Sequence, residues 1–185
     1  MKLLLMRKLK LEELNRLSTD AFQKTNKLPI IVILDNIRSA LNVGSVFRSA
    51  DAFKIEKIFL CGCTAIPPHR DILKSALGAT ETVRWQYFEK VEDALDFVLS
   101  ANYLIYTVEQ TDNSIFLQDV IVEKNQKLAF VFGNEVDGVS DVAFSYAKAN
   151  IEVPQWGTKH SLNVSVCSGI VLWEIAKKMI ANENI

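Results

Sequence analysis

Short runs of unbroken apolar residues alternate along this chain with stretches whose apolar positions recur every three or four residues. The runs at 30–34, 57–60, 82–87, 103–108, 128–132 and 150–153 are dense in Ile, Val, Phe and Tyr, as strands buried on both faces of a parallel sheet tend to be. Between them the spacing predicts helices over 43–52, 71–77, 91–100 and 141–147. Strands and helices taken in turn predict α/β layering. Ahead of the first strand, residues 8–27 set Leu11, Leu14, Leu17 and Phe22 among many charges. This reads as an amphipathic arm, 1–28, docked on the domain or on a partner. No internal repeat or Gly/Ser linker divides the remainder, 29–185, so one domain is expected there.

The stretch SLNVSVCSG at 161–169 carries two periods at once. Leu162, Val164 and Val166 alternate with polar residues, which says strand. Yet Leu162, Val166, Ile170, Trp173 and Ala176 also fall on one face of a helix that Ser161 could cap.

A chain of 185 residues with 49% hydrophobic and 23% charged residues can bury a substantial core. Its formal net charge of −1 excludes a globally basic protein, so a nucleic-acid partner would have to be met by a local basic patch. Cys61, Cys63 and Cys167 are an odd number without a C-x-x-C pair, which argues for free thiols and the cytoplasm. Cys61 and Cys63 near His69 lack a fourth ligand at a zinc spacing, so no metal is expected. The apolar patch at 1–6 is too short for a signal peptide or a membrane span.

Three loops carry unusual polar content beside apolar strands. In the first, Asn42 precedes Gly44 and a helix presenting Arg48. This is either an anion site at a helix start or an Asn cap beside a surface Arg. In the second, FGNEVDGVS at 132–140, two glycines allow close backbone approach to a ligand, and Glu135 lies at the C-terminal end of a strand. A tight turn capped by Ser140 and Asp141 accounts for it equally well. The third, VPQWGTKHSLNVSV, runs into the ambiguous stretch.

Taken together and in order, Asn42, Gly44 and Arg48, then Phe132-Gly133-x-Glu135-x-x-Gly138-x-Ser140, then Val153-Pro154 followed by Ser161-Leu162-Asn163-Val164-Ser165-Val166 resemble the motifs of the SpoU/TrmH family. These are RNA ribose 2′-O-methyltransferases of the SPOUT class, and the resemblance runs from about residue 29 to 181. It implies a single-domain parallel-sheet SPOUT fold whose C-terminal part is threaded as a deep trefoil knot, an exception to unknotted topology. It also implies S-adenosyl-L-methionine as cofactor, tRNA or rRNA as substrate, and a homodimer that builds each site against the partner, with Trp173 and Met179 available for the interface.

Within the resemblance, 161–166 is the entry to the last helix rather than a strand, with its polar groups buried and satisfied. Arg48 matches the catalytic arginine. Since a guanidinium is protonated near neutral pH, Arg48 is either a strongly perturbed base or the holder of phosphate and developing alkoxide. Asn42, Glu135, Ser161 and Asn163 match positions that orient it, and Gly133, Val153 and Leu162 match cofactor contacts. Gln155-Trp156-Gly157 replaces the Met-x-Gly of many members, and Lys159-His160 precede the serine. Both changes bear on RNA choice. Arg70, Lys74, Arg84 and Lys159 are candidate RNA contacts, with a solvated charged face as the bland alternative.

A catalytically silent RNA-binding or assembly factor on the same fold is the rival reading, although the catalytic positions are all filled. A nucleotide-binding enzyme of another class would need G-x-G-x-x-G or a P-loop, and neither occurs.

Overall fold

The apolar run at 30–34 is unbroken because both faces of its strand are covered. In the computed structural model, which describes residues 7–183, strand β1 (Leu28–Asp35) turns Ile30, Val32 and Leu34 to one side and Ile31 and Ile33 to the other. All five are at most 2% exposed. Six further strands join it: β2 (Ile55–Cys61), β3 (Arg84–Phe88), β4 (Leu104–Val108), β5 (Ser114–Phe116), β6 (Leu128–Phe132) and β7 (Ala149–Glu152). The order is β3-β2-β1-β6-β4-β7-β5 and every pairing is parallel.

The helices are α1 (Thr19–Gln23), α2 (Ala40–Ala52), α3 (Arg70–Ala76), α4 (Ala79–Thr82), α5 (Val91–Ser100), α6 (Asp141–Tyr146) and α7 (Val164–Glu183). On one face of the sheet, Val43, Val46 and Phe47 of α2, Ile72 of α3 and Leu172 and Ile175 of α7 close the larger core. On the other, Ala94, Leu95 and Val98 of α5 and Ala143 of α6 pack on Ile31, Ile33, Phe59 and Val131. Gly44 faces α3 inside this packing, where an added Cβ would lie 2.4 Å from the Ile72 carbonyl oxygen. It serves helix contact, and does not bare a helix start for an anion. Asn42 is not the cap of α2 either, because the Ser39 hydroxyl accepts from the Asn42 N–H at 3.3 Å.

Several expectations shift. The run at 82–87 starts late, since Thr82 ends α4 with its hydroxyl on Asp51 and the Ala79 carbonyl. Strand β5 has no counterpart in the apolar pattern, being three residues long with Ile115 and Phe116 40% and 46% exposed. The 161–169 stretch is the lead into α7, but its cap is Asn163 rather than Ser161: the Asn163 Oδ1 accepts from the Ser165 N–H at 3.0 Å and its hydroxyl at 2.6 Å. The buried stripe of α7 is Val164, Ser168, Val171, Leu172, Ile175, Ala176 and Met179, so of the expected face within the helix only Ala176 is buried. Val166, Ile170 and Trp173 instead lie on its exposed side. Met179, 7% exposed, belongs to the core and is not an interface residue.

The N-terminal segment forms a 3-10 turn at Leu11–Leu14 and α1, and leaves Leu9, Leu14 and Leu17 exposed. Gln23 reaches across to donate to the Glu81 carbonyl at 2.7 Å. The apolar patch at 1–6 lies outside the described residues. Among those described, no helix is long and apolar enough to cross a membrane.

Candidate active site

The chain runs outward from β1 to β2 and β3, then crosses to the other side of β1, and it is on this second side that a cavity lies at the C-terminal strand ends. Residues at or just past the ends of β4, β6 and β7 line a cavity of about 360 Å³. Glu109 and Gln110 follow β4, Gly133 to Glu135 follow β6, and Glu152 and Val153 close β7. Ser161, Leu162, Asn163 and Cys167 complete the wall from the approach and first turn of α7.

Gly133 lets the next turn fold back on the strand, because a Cβ there would lie 2.0 Å from the Gly138 carbonyl carbon and the Val139 nitrogen. Asn134 and Gly138 exchange two backbone hydrogen bonds of 3.1 Å, and Gly138 sits at φ +73°. The Asn134 Oδ1 accepts from the N–H groups of Val136 and Asp137 at 2.8 Å, which turns the chain on itself. Below, the Glu109 carboxylate accepts from the Val139 N–H at 3.2 Å and the Gln110 N–H at 3.0 Å. The turn is therefore pinned from both sides. Ser140 begins α6 without a side-chain cap, and its backbone N–H donates to buried Asp35 at 3.1 Å.

Loop 109–114 is held in turn by Asn150, 9% exposed, whose amide donates to the Glu109 carbonyl and to the hydroxyls of Thr111 and Ser114 at 2.9–3.0 Å. Thr107 donates to the Asn150 Oδ1 at 2.8 Å. Such a satisfied polar cluster fixes the cavity wall where an unpaired group would cost about 1–3 kcal/mol.

At the rim, the three motifs meet in one chain of hydrogen bonds. Asn42 donates to Glu135 Oε1 at 2.8 Å, Asn163 donates to Asn42 Oδ1 at 3.2 Å, and the Arg38 N–H donates to Glu135 Oε2 at 3.3 Å. Burial raises the Glu135 pKa, but the Asn42 amide and the backbone N–H groups of Glu135, Arg38 and Ser39 outweigh it, so the net shift is downward. A lowered carboxylate pKa contributes stability that is complete above the unfolded value and is lost as pH falls through the folded one. The rim should thus hold from neutral pH down to the ordinary Glu range near about 4.3 and loosen only below it. Glu135→Gln should remove this acid limb, as read by ligand affinity against pH. A wild-type limb that survives in Glu135→Gln would assign it to another group.

Ser161, Asn163 and Glu135 are exposed, which corrects the expectation of buried polar groups at 161–166. The cavity opens to solvent in the isolated chain, so these residues form its lip. The Cys167 thiol is pushed up to about 11, first by burial and then by Glu109, and is unreactive at neutral pH. Arg48 does not reach the cavity. It lies exposed on α2 in a neighbouring groove of about 480 Å³ with Ser45, Ser49, Ser75 and Lys74. Arg70 is exposed at the start of α3, and Lys159 lies on the exposed loop before α7. Arg84 is remote, facing Lys27 and Lys57 in a groove at the N-terminal end of the strands.

The sequence profile of the SpoU rRNA Methylase family matches residues 29–173. The chain belongs to this family. A Borreliella burgdorferi protein named an uncharacterized tRNA/rRNA methyltransferase is 27% identical over 183 residues, covering 93% of this chain and 78% of its own. The Neisseria meningitidis 23S rRNA (guanosine-2′-O-)-methyltransferase RlmB is 26% identical over 167 residues, covering 90% of this chain and 66% of the relative. Among solved structures, the SpoU methyltransferase AviRb of Streptomyces viridochromogenes in complex with AdoMet superposes with a TM-score of 0.76 at 20% identity. It covers 85% of this chain and 63% of AviRb. The TrmH/SpoU tRNA modifying enzyme of A. aeolicus gives a TM-score of 0.76 at 23% identity over 88% and 81% of the two chains. The sheet and its helices are thus those of the SpoU methyltransferases. The chain spans about two thirds of the length of RlmB and AviRb.

The family's motifs led to Gly133, Glu135, Val153, Ser161, Leu162 and Asn163, all of which line the cavity. They passed over Glu109, Gln110, Glu152 and Cys167. Glu109 and Gln110 follow the run at 103–108 as Glu135 follows 128–132, so the strand-end rule applied to Glu135 would have found them.

Proposed function

We propose that this protein transfers a methyl group from S-adenosyl-L-methionine to a ribose 2′-hydroxyl of structured RNA, tRNA or rRNA. The observation that carries this reading is the convergence of two sequence-distant motifs on one cavity, with Asn42 of the third tied to its lip by hydrogen bonds with Glu135 and Asn163. The cavity's volume suits a cofactor of this size. Gly133 lines the cavity and lets the Gly138–Val139 backbone close against it, where a Cβ would clash. When bound, S-adenosylmethionine supplies a methyl group on a sulfonium, already a good leaving group. The protein's task is then to place and activate a weakly acidic hydroxyl. In this reading Gly133, Val153 and Leu162 hold the cofactor, and Asn42, Glu135, Ser161 and Asn163 shape the acceptor side. Arg48, with Lys74 in the same groove, grips the phosphate and the developing alkoxide. Arg70 and Lys159 extend the RNA contacts. The remote position of Arg84 favours a solvated charge there.

We infer a homodimer from two features. Arg48 lies outside the cofactor cavity of its own chain, and α7 exposes an apolar stripe with Val166 51%, Ile170 38% and Trp173 55% exposed. The same reading gives the chain an N-terminal arm at 1–28, a knotted methyltransferase domain at 29–185 and a cytoplasmic setting.

Calorimetry on cofactor-free protein with a chelator present should show S-adenosylmethionine binding without metal. Folded protein that binds none at millimolar cofactor would overturn the reading. Mapping 2′-O-methyl sites in RNA from a deletion strain and its complemented counterpart then identifies the nucleotide, and a silent binder would leave both maps identical.

A further inference from the structure

The loop between β7 and α7 holds an aromatic side chain that the fold leaves almost bare. Trp156 is 92% exposed. The other two tryptophans are partly covered, Trp85 half-buried and Trp173 against Phe53 with ring centroids 5.8 Å apart. An indole in water forgoes the apolar burial that usually dictates where tryptophan sits, so packing within the chain does not account for this one.

Its position does suggest an occupant. Gln155 on one side of the tryptophan lines the cofactor cavity, and so do Ser161 and Leu162 at the far end of the loop. The loop therefore starts and finishes on the cavity wall, and residues 156–160 between those ends are exposed. Lys159 and His160 are among them, and Gly157 has open space around it. The acidic groups of the 134–138 turn are already engaged, Glu135 by Asn42 and Asp137 by Arg38 at 3.2 Å. A bare aromatic ring one residue from the cavity wall, with an exposed lysine three positions on in the same loop, matches the surface that binds an unstacked nucleobase with its phosphate.

We propose that Trp156 stacks on an unpaired base of the substrate RNA next to the methylated ribose, with Lys159 on the adjoining phosphate. This rests on the methyltransferase reading, since it is the reaction that brings a nucleotide to this cavity. The contact holds a nucleotide splayed from its helix, which a 2′-hydroxyl aligned with a buried methyl group requires. It makes Trp156, at the variable position of the family's Met-x-Gly, a substrate-binding residue with a part in RNA choice.

The test uses full-length protein loaded with S-adenosylhomocysteine and titrated with a short unpaired oligoribonucleotide of mixed sequence, since stacking tolerates any base. Wild-type tryptophan emission should be quenched on binding. Trp156→Ala should weaken the oligonucleotide about 10-fold, Trp156→Phe should retain most of the affinity, and cofactor affinity and sedimentation should be unchanged in both. Wild-type RNA affinity in Trp156→Ala, or no oligonucleotide binding by the wild type, would overturn the stacking contact. Lost cofactor affinity would make Trp156 a cavity-wall residue, and an altered oligomer would make it a subunit contact, either of which also overturns it. If the wild type binds no cofactor at all, the methyltransferase reading itself fails, a result separate from these.

Discussion

Arg48→Ala should lower methyl transfer at saturating RNA by at least about 100-fold, the scale of losing one positioned catalytic group, with S-adenosylmethionine affinity unchanged. The second half follows from geometry, because Arg48 sits in its own groove and is not among the residues that line the cavity proposed for the cofactor. Arg48→Lys should rescue poorly, since lysine keeps the charge but loses the planar fork that grips two oxygens together. Lys74 shares the groove and supplies the contrast. Lys74→Ala should weaken RNA binding, with a rate that recovers at saturating RNA and a defect that shrinks at low salt. Single-turnover transfer separates the two behaviours. A near-normal saturating rate for Arg48→Ala would remove the arginine from the chemistry and leave it as one more phosphate contact.

What could be read from the chain follows what each pattern encodes physically. Runs such as 30–34 and 128–132 are unbroken because both faces of a central parallel strand are covered, and these became β1 and β6. Strand β5 escaped because an edge of three residues with a half-exposed face needs no apolar run. Periodicity in α7 located the helix but not its buried side. The segment is apolar around most of its circumference, so Val166, Ile170 and Trp173 could be mistaken for a core face when Val171, Leu172 and Ile175 fill it. Cavity-lining residues within motifs were legible as motif positions, but their backbone roles were not: Gly133 marks a close approach of two chain segments, and Asn163 rather than Ser161 caps α7. The links between motifs were not legible, since Asn42 meets Glu135, 93 positions further along the chain, only once the chain is folded. Nor could the sequence separate Arg48 from the cavity, because a position on a helix does not say which groove its side chain enters.

Gly133→Ala should abolish S-adenosylmethionine binding and lower the melting temperature, and here the argument is steric. The added methyl would lie 2.0 Å from both the Gly138 carbonyl carbon and the Val139 nitrogen and 2.2 Å from the Gly138 oxygen. All three are backbone atoms with no rotamer to give way. The turn carrying them cannot retreat cheaply either, because its reciprocal bonds between Asn134 and Gly138 and the Val139 bond to Glu109 hold it in place. Relief therefore means opening the 133–139 turn, which is one wall of the cavity. Overpacking of this kind costs about 1–3 kcal/mol or more, and each kcal/mol lowers the melting temperature by roughly 2–4 °C in a chain of this size. Gly157→Ala is the control, since nothing lies within 4 Å of its Cβ position, and its stability should change by no more than about 0.5 kcal/mol. Calorimetric titration and thermal melts of both variants check this. Wild-type cofactor affinity in folded Gly133→Ala would mean that the turn has room to move, and that the cofactor does not depend on the close approach of backbone at Gly133.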